Sequence, residues 1–263
     1  MPYADVPGAQ LYYTDTGGEG VPIVLMHAAS GNAGCWVQQV PAFTAAGYRC
    51  IAYDRRGWGR SKATLPEALE GNVATAASDD LQALAGHLKL DRFHLAGTAA
   101  GAGPSLDYAL TYPERVRSLV LADCGAGASA EPAYEAMRKN YRPPEIEHLP
   151  VQLRELSAGY RATNPDGVRQ WLEIEHNSRH GERGGPAQRA HHEVTFAVLR
   201  GLKTPVLMIC GSADITTPPA LMRLSAEHIP GCRFETISEA GHASFWEQPE
   251  IWSRLVLDFT GQH

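Results

Sequence analysis

The chain has 263 residues and a formal net charge of −6, from 23 Lys+Arg against 29 Asp+Glu; 44% of residues are hydrophobic and 20% charged. That apolar content is enough for a core and excludes a disordered chain. The acidic balance argues against nucleic acid as a partner, because the longest basic cluster, Arg55, Arg56 and Arg60, is too short to offset it.

In chain order, ADV and QLYYTDT read as two short strands joined at the turn dipeptide Pro7-Gly8. VPIVLMH (21–27) is a continuous apolar run, as expected of a strand buried on both faces. A helical stretch follows at 34–46, and YRCIAYD (48–54) is the next buried strand. Residues 72–88 place Val73, Ala76, Ala77, Leu81, Leu84 and Leu88 at helical spacing, with Asp79 and Asp80 expected to face outward. FHLAG (93–97) is a strand, 99–112 a small-residue helix closed by Pro113, and VRSLVLADCG (116–125) another strand. TPVLMICG (204–211) and CRFETIS (232–238) are further strands, with helices over 218–228 and 248–260.

Apolar strands alternating with helices predict an α/β fold, a mostly parallel sheet of about eight strands covered on both faces. The segment 126–202 breaks this rhythm, with helical patches at 131–140, 149–162, 165–179 and 187–200 and breakers at Pro143-Pro144 and Gly184-Gly185-Pro186. It reads as a helical cap inserted into a core made of 1–125 and 203–263.

The chemistry lies in the loops that follow strands, which share one edge of a parallel sheet. Strand 93–97 runs into Gly97-Thr98-Ala99-Ala100-Gly101 and then a helix. Small residues flanking a central position in a strand–turn–helix junction have the form of a nucleophile elbow, yet the central residue is Ala99, which has no nucleophilic atom. The bland alternative is a closely packed β–α junction. His27-Ala28-Ala29-Ser30-Gly31 follows the first long strand, and its amides are placed to line an oxyanion hole. Asp54-Arg55-Arg56-Gly57-Trp58-Gly59-Arg60-Ser61 is a polar, glycine-bearing turn. Gly211-Ser212-Ala213-Asp214 supplies an acid and Glu239-Ala240-Gly241-His242 a histidine, in the order nucleophile position, acid, base.

Together these segments resemble the α/β-hydrolase fold family, over the whole chain except the helical insertion. They are most similar to the small bacterial ester, enol-lactone and carbon–carbon bond hydrolases with a helical cap. The resemblance implies His242 as general base, Asp214 as the acid orienting it, the amides of Ala29 and Ala100 as oxyanion donors, and Ala99 in the place of the nucleophile, where Ser is expected. Ala28 departs from the usual Gly. The implied function is hydrolysis of a small carboxylic ester or lactone through a Ser-His-Asp triad, here a nucleophile-to-Ala variant that retains binding and is catalytically dead. The alternatives are cleavage of activated carbon–carbon bonds (vinylogous diketone type) and a natural non-catalytic ligand-binding homologue.

Other readings stay open at the level of sequence. Asp123 is the rival acid, and Asp214 has a second reading as a helix cap. His27 reads as an organiser of the oxyanion loop, and Ser30 either donates to substrate or closes a turn. Trp36, Phe245 and Trp171, with His27 and Ser30, are the substrate-contact candidates; Trp58, Trp246, Tyr134, Tyr141 and Tyr160 are further aromatics divided between pocket and core. His176, His180, His191 and His192 lack the carboxylate spacing of a metal site and read as solvent-facing; no metal or cofactor is expected. Cap arginines Arg138, Arg142, Arg154, Arg161, Arg179 and Arg183 are placed to meet a substrate carboxylate, though most read as solvated. MPYADVPGAQ has neither the basic start nor the apolar run of a signal peptide. The apolar runs fall short of the ~20 residues of a membrane span, so no membrane partner is expected. Cys35, Cys50, Cys124, Cys210 and Cys232 show no CxxC spacing; with Cys50, Cys124 and Cys210 in or beside apolar runs, they read as reduced thiols of a cytoplasmic protein.

Overall fold

The computed structural model describes residues 2–63, 76–178 and 188–263. Val73 and the first residues of the expected helix 72–88 lie outside them, as do Arg179, His180, Arg183 and the breaker Gly184-Gly185-Pro186.

The strands are β1 (Tyr3–Val6), β2 (Ala9–Asp15), β3 (Pro22–Met26), β4 (Arg49–Tyr53), β5 (Lys62–Ala63), β6 (Phe93–Thr98), β7 (Val116–Ala122), β8 (Val206–Gly211) and β9 (Arg233–Ile237). They form one sheet in the order β1-β2-β4-β3-β6-β7-β8-β9, with β5 pairing to β2 off this path. β1, β2 and β5 pair antiparallel, and every junction from β4 to β9 is parallel. β6 and β8 are buried at every residue, which is why they read as near-continuous apolar runs, with His94 and Thr98 of β6 as buried polar exceptions. β5 was not expected; its pairing with Ala9 and Gln10 gives the polar turn after β4 an anchor on the N-terminal hairpin.

Helices α1 (Gln39–Ala45), α2 (Ala77–His87) and α3 (Ala102–Thr111) connect the first half. Between β7 and β8 lie α4 (Pro132–Tyr141), α5 (Val151–Glu155), α6 (Ala158–Thr163), α7 (Pro165–Ser178) and α8 (Phe196–Arg200). The patch 149–162 is therefore two helices: Leu156 takes extended backbone, and Ser157 caps α6 by accepting the Tyr160 amide. Of the expected helix 187–200, the described residues 188–200 are helical only over Phe196–Arg200, and Arg189 instead forms a bridge with Ala76. Helices α9 (Pro219–Ala226), α10 (Ser244–Glu247) and α11 (Pro249–Thr260) complete the chain. Pro249 opens α11, and Trp252, Val256 and Phe259 recur on its buried face.

Two apolar clusters fill the two faces of the sheet. One gathers Leu11, Val24, Leu95 and Leu121 with α2 and α3, and the other gathers Ile23, Leu25, Trp36, Phe43 and Trp252. Asp80 is not turned outward: it is 3% exposed and takes a bidentate pair from Arg56, Nε at 2.9 Å and Nη2 at 2.6 Å. Arg56 also donates to the carbonyls of Pro7 and Gly8, so this buried ion pair fastens the turn after β4 to α2 and the hairpin. No helix among the described residues is long and apolar enough to cross a membrane.

Candidate active site

The sheet order places β6 between β3 and β7, with β8 and β9 beyond, so the loops after these five strands share one edge. At the end of β6 the chain turns through Ala99, whose φ is +47°, into α3. A side chain at Gly97 would come within 2.4 Å of Ser105 Oγ, and one at Gly101 within 2.5 Å of the carbonyls of Met26 and His27. These contacts require the small flanks, and a left-handed non-glycine residue in a turn is a conformation the surrounding packing must hold. The junction is an elbow with a methyl group at its tip.

His242 and Asp214 meet across the ends of β9 and β8. Asp214 Oδ2 lies 2.7 Å from His242 Nδ1, while Oδ1 accepts the amides of Thr216 at 2.7 Å and Thr217 at 2.8 Å. Asp214 thus orients the histidine and closes its own turn; it does not cap α9, which begins after Pro218 with no side-chain cap. Asp123, the rival, lies elsewhere in the network: its Oδ2 accepts Ser244 Oγ at 2.8 Å and Thr98 Oγ1 at 3.4 Å. Burial and the charge of Asp214 push the Asp123 pKa well above the usual carboxyl range. For His242, burial disfavours the imidazolium, but the charge and hydrogen bond of Asp214, with Glu155 and Asp123 behind, outweigh it and raise the pKa to about 9.

The cleft has a volume of about 340 Å³ and is lined by Ala28, Ala29, Ser30, Ala99, Ala100 and His242, with Asp123, Cys124, Arg142, Arg154, Glu155, Thr216 and Thr217. Ala29 and Ala100, the expected oxyanion residues, therefore face one space with Ala99 and His242. Beside it runs a narrow apolar recess containing Trp171, Ile174, Cys35 and Phe245, again with Ser30 and His242.

Other candidates serve the walls. His27 is fully buried and does not line the cleft: Nδ1 meets the carbonyl of Ala28 at 2.6 Å and Nε2 accepts the Arg55 amide at 2.9 Å. Burial, aided by the charge of Arg55, holds its pKa well below the usual range, so the ring is neutral and organises the oxyanion loop. Trp36, expected at the substrate, is fully buried against Phe245 and Trp252 in the core. Trp58 donates Nε1 to the carbonyl of Ala29, Trp246 donates Nε1 to the carbonyl of Gly167, Tyr134 is buried and Tyr141 exposed. The polar turn after β4 is scaffold: Asp54, fully buried, accepts the amides of Ala33 at 2.6 Å and Arg60 at 2.7 Å, tying two loops together.

Two of the histidines read as solvent-facing have carboxylate partners: His191 is exposed and His192 half-buried. His191 Nε2 meets Asp79 Oδ1 at 2.7 Å and His192 Nδ1 meets Asp107 Oδ1 at 3.0 Å. Among the described residues no group of His, Cys, Asp and Glu is arranged to hold a metal ion. Of the cap arginines, Arg142 and Arg154 line the cleft.

Two carboxylates escaped the reading of the sequence. Glu155, at the end of α5, accepts Ser30 Oγ at 2.5 Å, which commits that hydroxyl to the protein, and its backbone carbonyl accepts the Ala243 amide. Glu247, 6% exposed, accepts the amides of Ser157 at 2.8 Å and Gly241 at 3.0 Å. It bridges the segment before α6 to the histidine loop. No local pattern marks either residue, because their partners lie up to 125 positions away.

Residues 21–145 match the family model of the alpha/beta hydrolase fold. A 2-hydroxy-6-oxononadienedioate/2-hydroxy-6-oxononatrienedioate hydrolase of Burkholderia vietnamiensis is 30% identical, over 95% of this chain and 90% of its own length. A thermophilic esterase from Thermogutta terrifontis superposes with a TM-score of 0.76 at 24% identity, covering 100% of this chain and 97% of its own. The enol-lactonase of Burkholderia xenovorans also gives 0.76 at 24% identity, covering 99% and 100%. At these identities the two structures speak for the fold.

Proposed function

We propose that this chain, which belongs to the α/β-hydrolase fold family, binds a small ester or lactone in the cleft over Ala99 and lacks the covalent step that would hydrolyse it. The observation that carries this reading is the His242–Asp214 pair at 2.7 Å, sharing the cleft with an elbow whose tip is a methyl group. Residues 1–125 and 203–263 form the core, and 126–202 the cap, whose Arg142, Arg154 and Glu155 reach the cleft.

With a serine at 99, the chemistry would follow from the positions. His242 Nε2 would take the hydroxyl proton as the oxygen attacks the carbonyl. Asp214 would hold the Nδ1–H tautomer and stabilise the imidazolium, and the amides of Ala29 and Ala100 would receive the developing oxyanion. The imidazolium would then protonate the leaving alkoxide, and water would repeat the cycle on the acyl-enzyme. In this chain the first bond cannot form at residue 99. The neighbouring candidates are occupied: Thr98 points to Asp123 and Ser30 to Glu155, and burial raises the Cys124 thiol to about 11.

A second reading, hydrolysis of activated carbon–carbon bonds, is supported by the activity named for the relative from Burkholderia vietnamiensis. It uses the same residues on a different substrate. Ala99→Ser tests both. Removing a triad nucleophile costs on the order of a million-fold in turnover. The substitution is therefore expected to create hydrolysis of at least one member of a panel of p-nitrophenyl esters, lactones and vinylogous diketones, blocked by a phosphonylating reagent. A folded Ala99→Ser protein that is inert to the whole panel overturns the proposal.

A further inference from the structure

A second pocket lies at the opposite end of β6 from the elbow. It has a volume of about 350 Å³, and Tyr48, His94, Arg117, Thr260 and His263 are among its lining residues. It shares no lining residue with the cleft, and His94 stands roughly 16 Å along an extended strand from Ala99. β6 and β7 pair irregularly here. Phe93 is opposite Val116 and Leu95 opposite Leu119, so Arg117 and Ser118 together face the single residue His94. Such a bulge re-aims side chains, and this one gathers three polar residues at the end of two strands whose centres are apolar.

These residues offer donors and little to accept from them. His94, 2% exposed, meets Ser118 Oγ through Nδ1 at 2.8 Å, and no hydrogen bond among the described residues engages Nε2. With Ser118 donating to Nδ1, Nε2 carries the ring hydrogen as a free donor. Arg117 is half-buried, its Nε is enclosed without a hydrogen-bond partner, and no ion pair neutralises it among the described residues. Tyr48 and Thr260 hold each other by their hydroxyls at 2.9 Å and serve as wall. No Asp or Glu lines the pocket, and the one acid among its lining residues is the terminal carboxylate of His263. Burial, with the charges of Arg117, His263 and Arg92, lowers the His94 pKa to about 4, so the ring is neutral at pH 7 in a positive local field. An enclosed guanidinium donor without an acceptor is costly, and a negatively charged oxygen relieves it best.

We propose that this pocket binds a small oxyanion, a carboxylate or phosphate group, between the Arg117 guanidinium and His94 Nε2. Both protein groups donate, and either kind of oxyanion presents two oxygens to accept. The bound anion supplies the partner that Arg117 lacks. It also opposes the positive field and so raises the His94 pKa. Linkage fixes the sign: a ligand that favours the protonated ring binds more tightly as pH falls toward that pKa. The site does not depend on the chemistry proposed for the cleft.

The test titrates the unaltered chain by calorimetry at low ionic strength, with inorganic phosphate in one arm and acetate and citrate in the other. Expected is saturable one-to-one binding in at least one arm, and the tighter arm identifies the group. Loss of a charge-assisted hydrogen bond makes Arg117→Met bind at least about tenfold more weakly. Arg154→Met, altered in the cleft, should bind the anion like the parent. Imidazole NMR supplies an independent reading: the His94 pKa should move upward from about 4 under saturating anion. Circular dichroism confirms that the variants are folded; should Arg117→Met unfold, the His94 titration of the unaltered chain decides. The inference is overturned by an absence of saturable binding in both arms, as when the terminal carboxylate of His263 already holds the donors. A folded Arg117→Met that binds like the parent, binding lost in Arg154→Met alone, or a His94 pKa unmoved by saturating anion overturns it as well.

Discussion

Asp214→Asn isolates the interaction on which the cleft depends. In the parent chain the His242 pKa lies near 9 against an ordinary 6.5, despite complete burial. At 1.36 kcal/mol per pKa unit, the difference amounts to roughly 3 kcal/mol favouring the protonated ring in the folded state. The sign follows from a pKa raised on folding. The contribution is present in full below about pH 6.5 and is lost as pH rises through about 9. Asparagine keeps an oxygen for the Thr216 and Thr217 amides but turns an NH2 toward Nδ1, removing the charge and reversing the tautomer. With burial then dominant, the ring should titrate below 6.5. Imidazole NMR titration of both proteins reads the pKa directly. Urea unfolding at pH 6 and pH 9.5 reads the linked stability, which should drop by up to ~3 kcal/mol in the parent from this group and show no such drop in Asp214→Asn. A parent His242 titrating at or below 6.5, or a variant with an unchanged pKa, would refute the reasoning.

Other expectations test the frame around the cleft. Arg56→Ala leaves Asp80 as a buried charge without its bidentate partner and should cost about 3–5 kcal/mol in urea unfolding, whereas an exposed pair such as Arg169–Asp166 should cost under about 1. Glu247→Gln keeps an acceptor for the Ser157 and Gly241 amides and should unfold close to the parent, while Glu247→Leu orphans two buried donors and should cost about 2–4 kcal/mol. Cys124, with its thiol held near 11, should react with iodoacetamide at pH 7.5 far more slowly than free cysteine, by mass-spectrometric time course.

The core strands and the helices between them were legible from periodicity, because a strand buried on both faces must be apolar throughout and an amphipathic helix must repeat its buried side chains; β5 and the breaks in the segment between β7 and β8 were not. The elbow was legible as well: Gly97 and Gly101 sit where any side chain would strike Ser105 or the backbone after β3, so the steric demand is written into the residue types. His242 and Asp214 could be named because each occupies a short loop directly after a strand and their order along the chain resembles that of the α/β-hydrolase fold family; position alone left Asp123 as a rival. Folding, by contrast, decided every pairing between distant segments. Asp214 rather than Asp123 holds His242 because β8 and β9 lie side by side and the loops after them bring Asp214 Oδ2 within 2.7 Å of His242 Nδ1, while Asp123 is captured by Ser244 and Thr98. Trp36 went to the core and Trp171 to the recess, although nothing local distinguishes one tryptophan from the other. Asp80 looked outward on its own helix and was drawn inward by Arg56. Glu155 and Glu247 acquired roles through partners in other segments. A side chain's chemical type is fixed where it is written, but its hydrogen-bond partner depends on which segments the sheet stacks side by side, and that long-range geometry has no local trace.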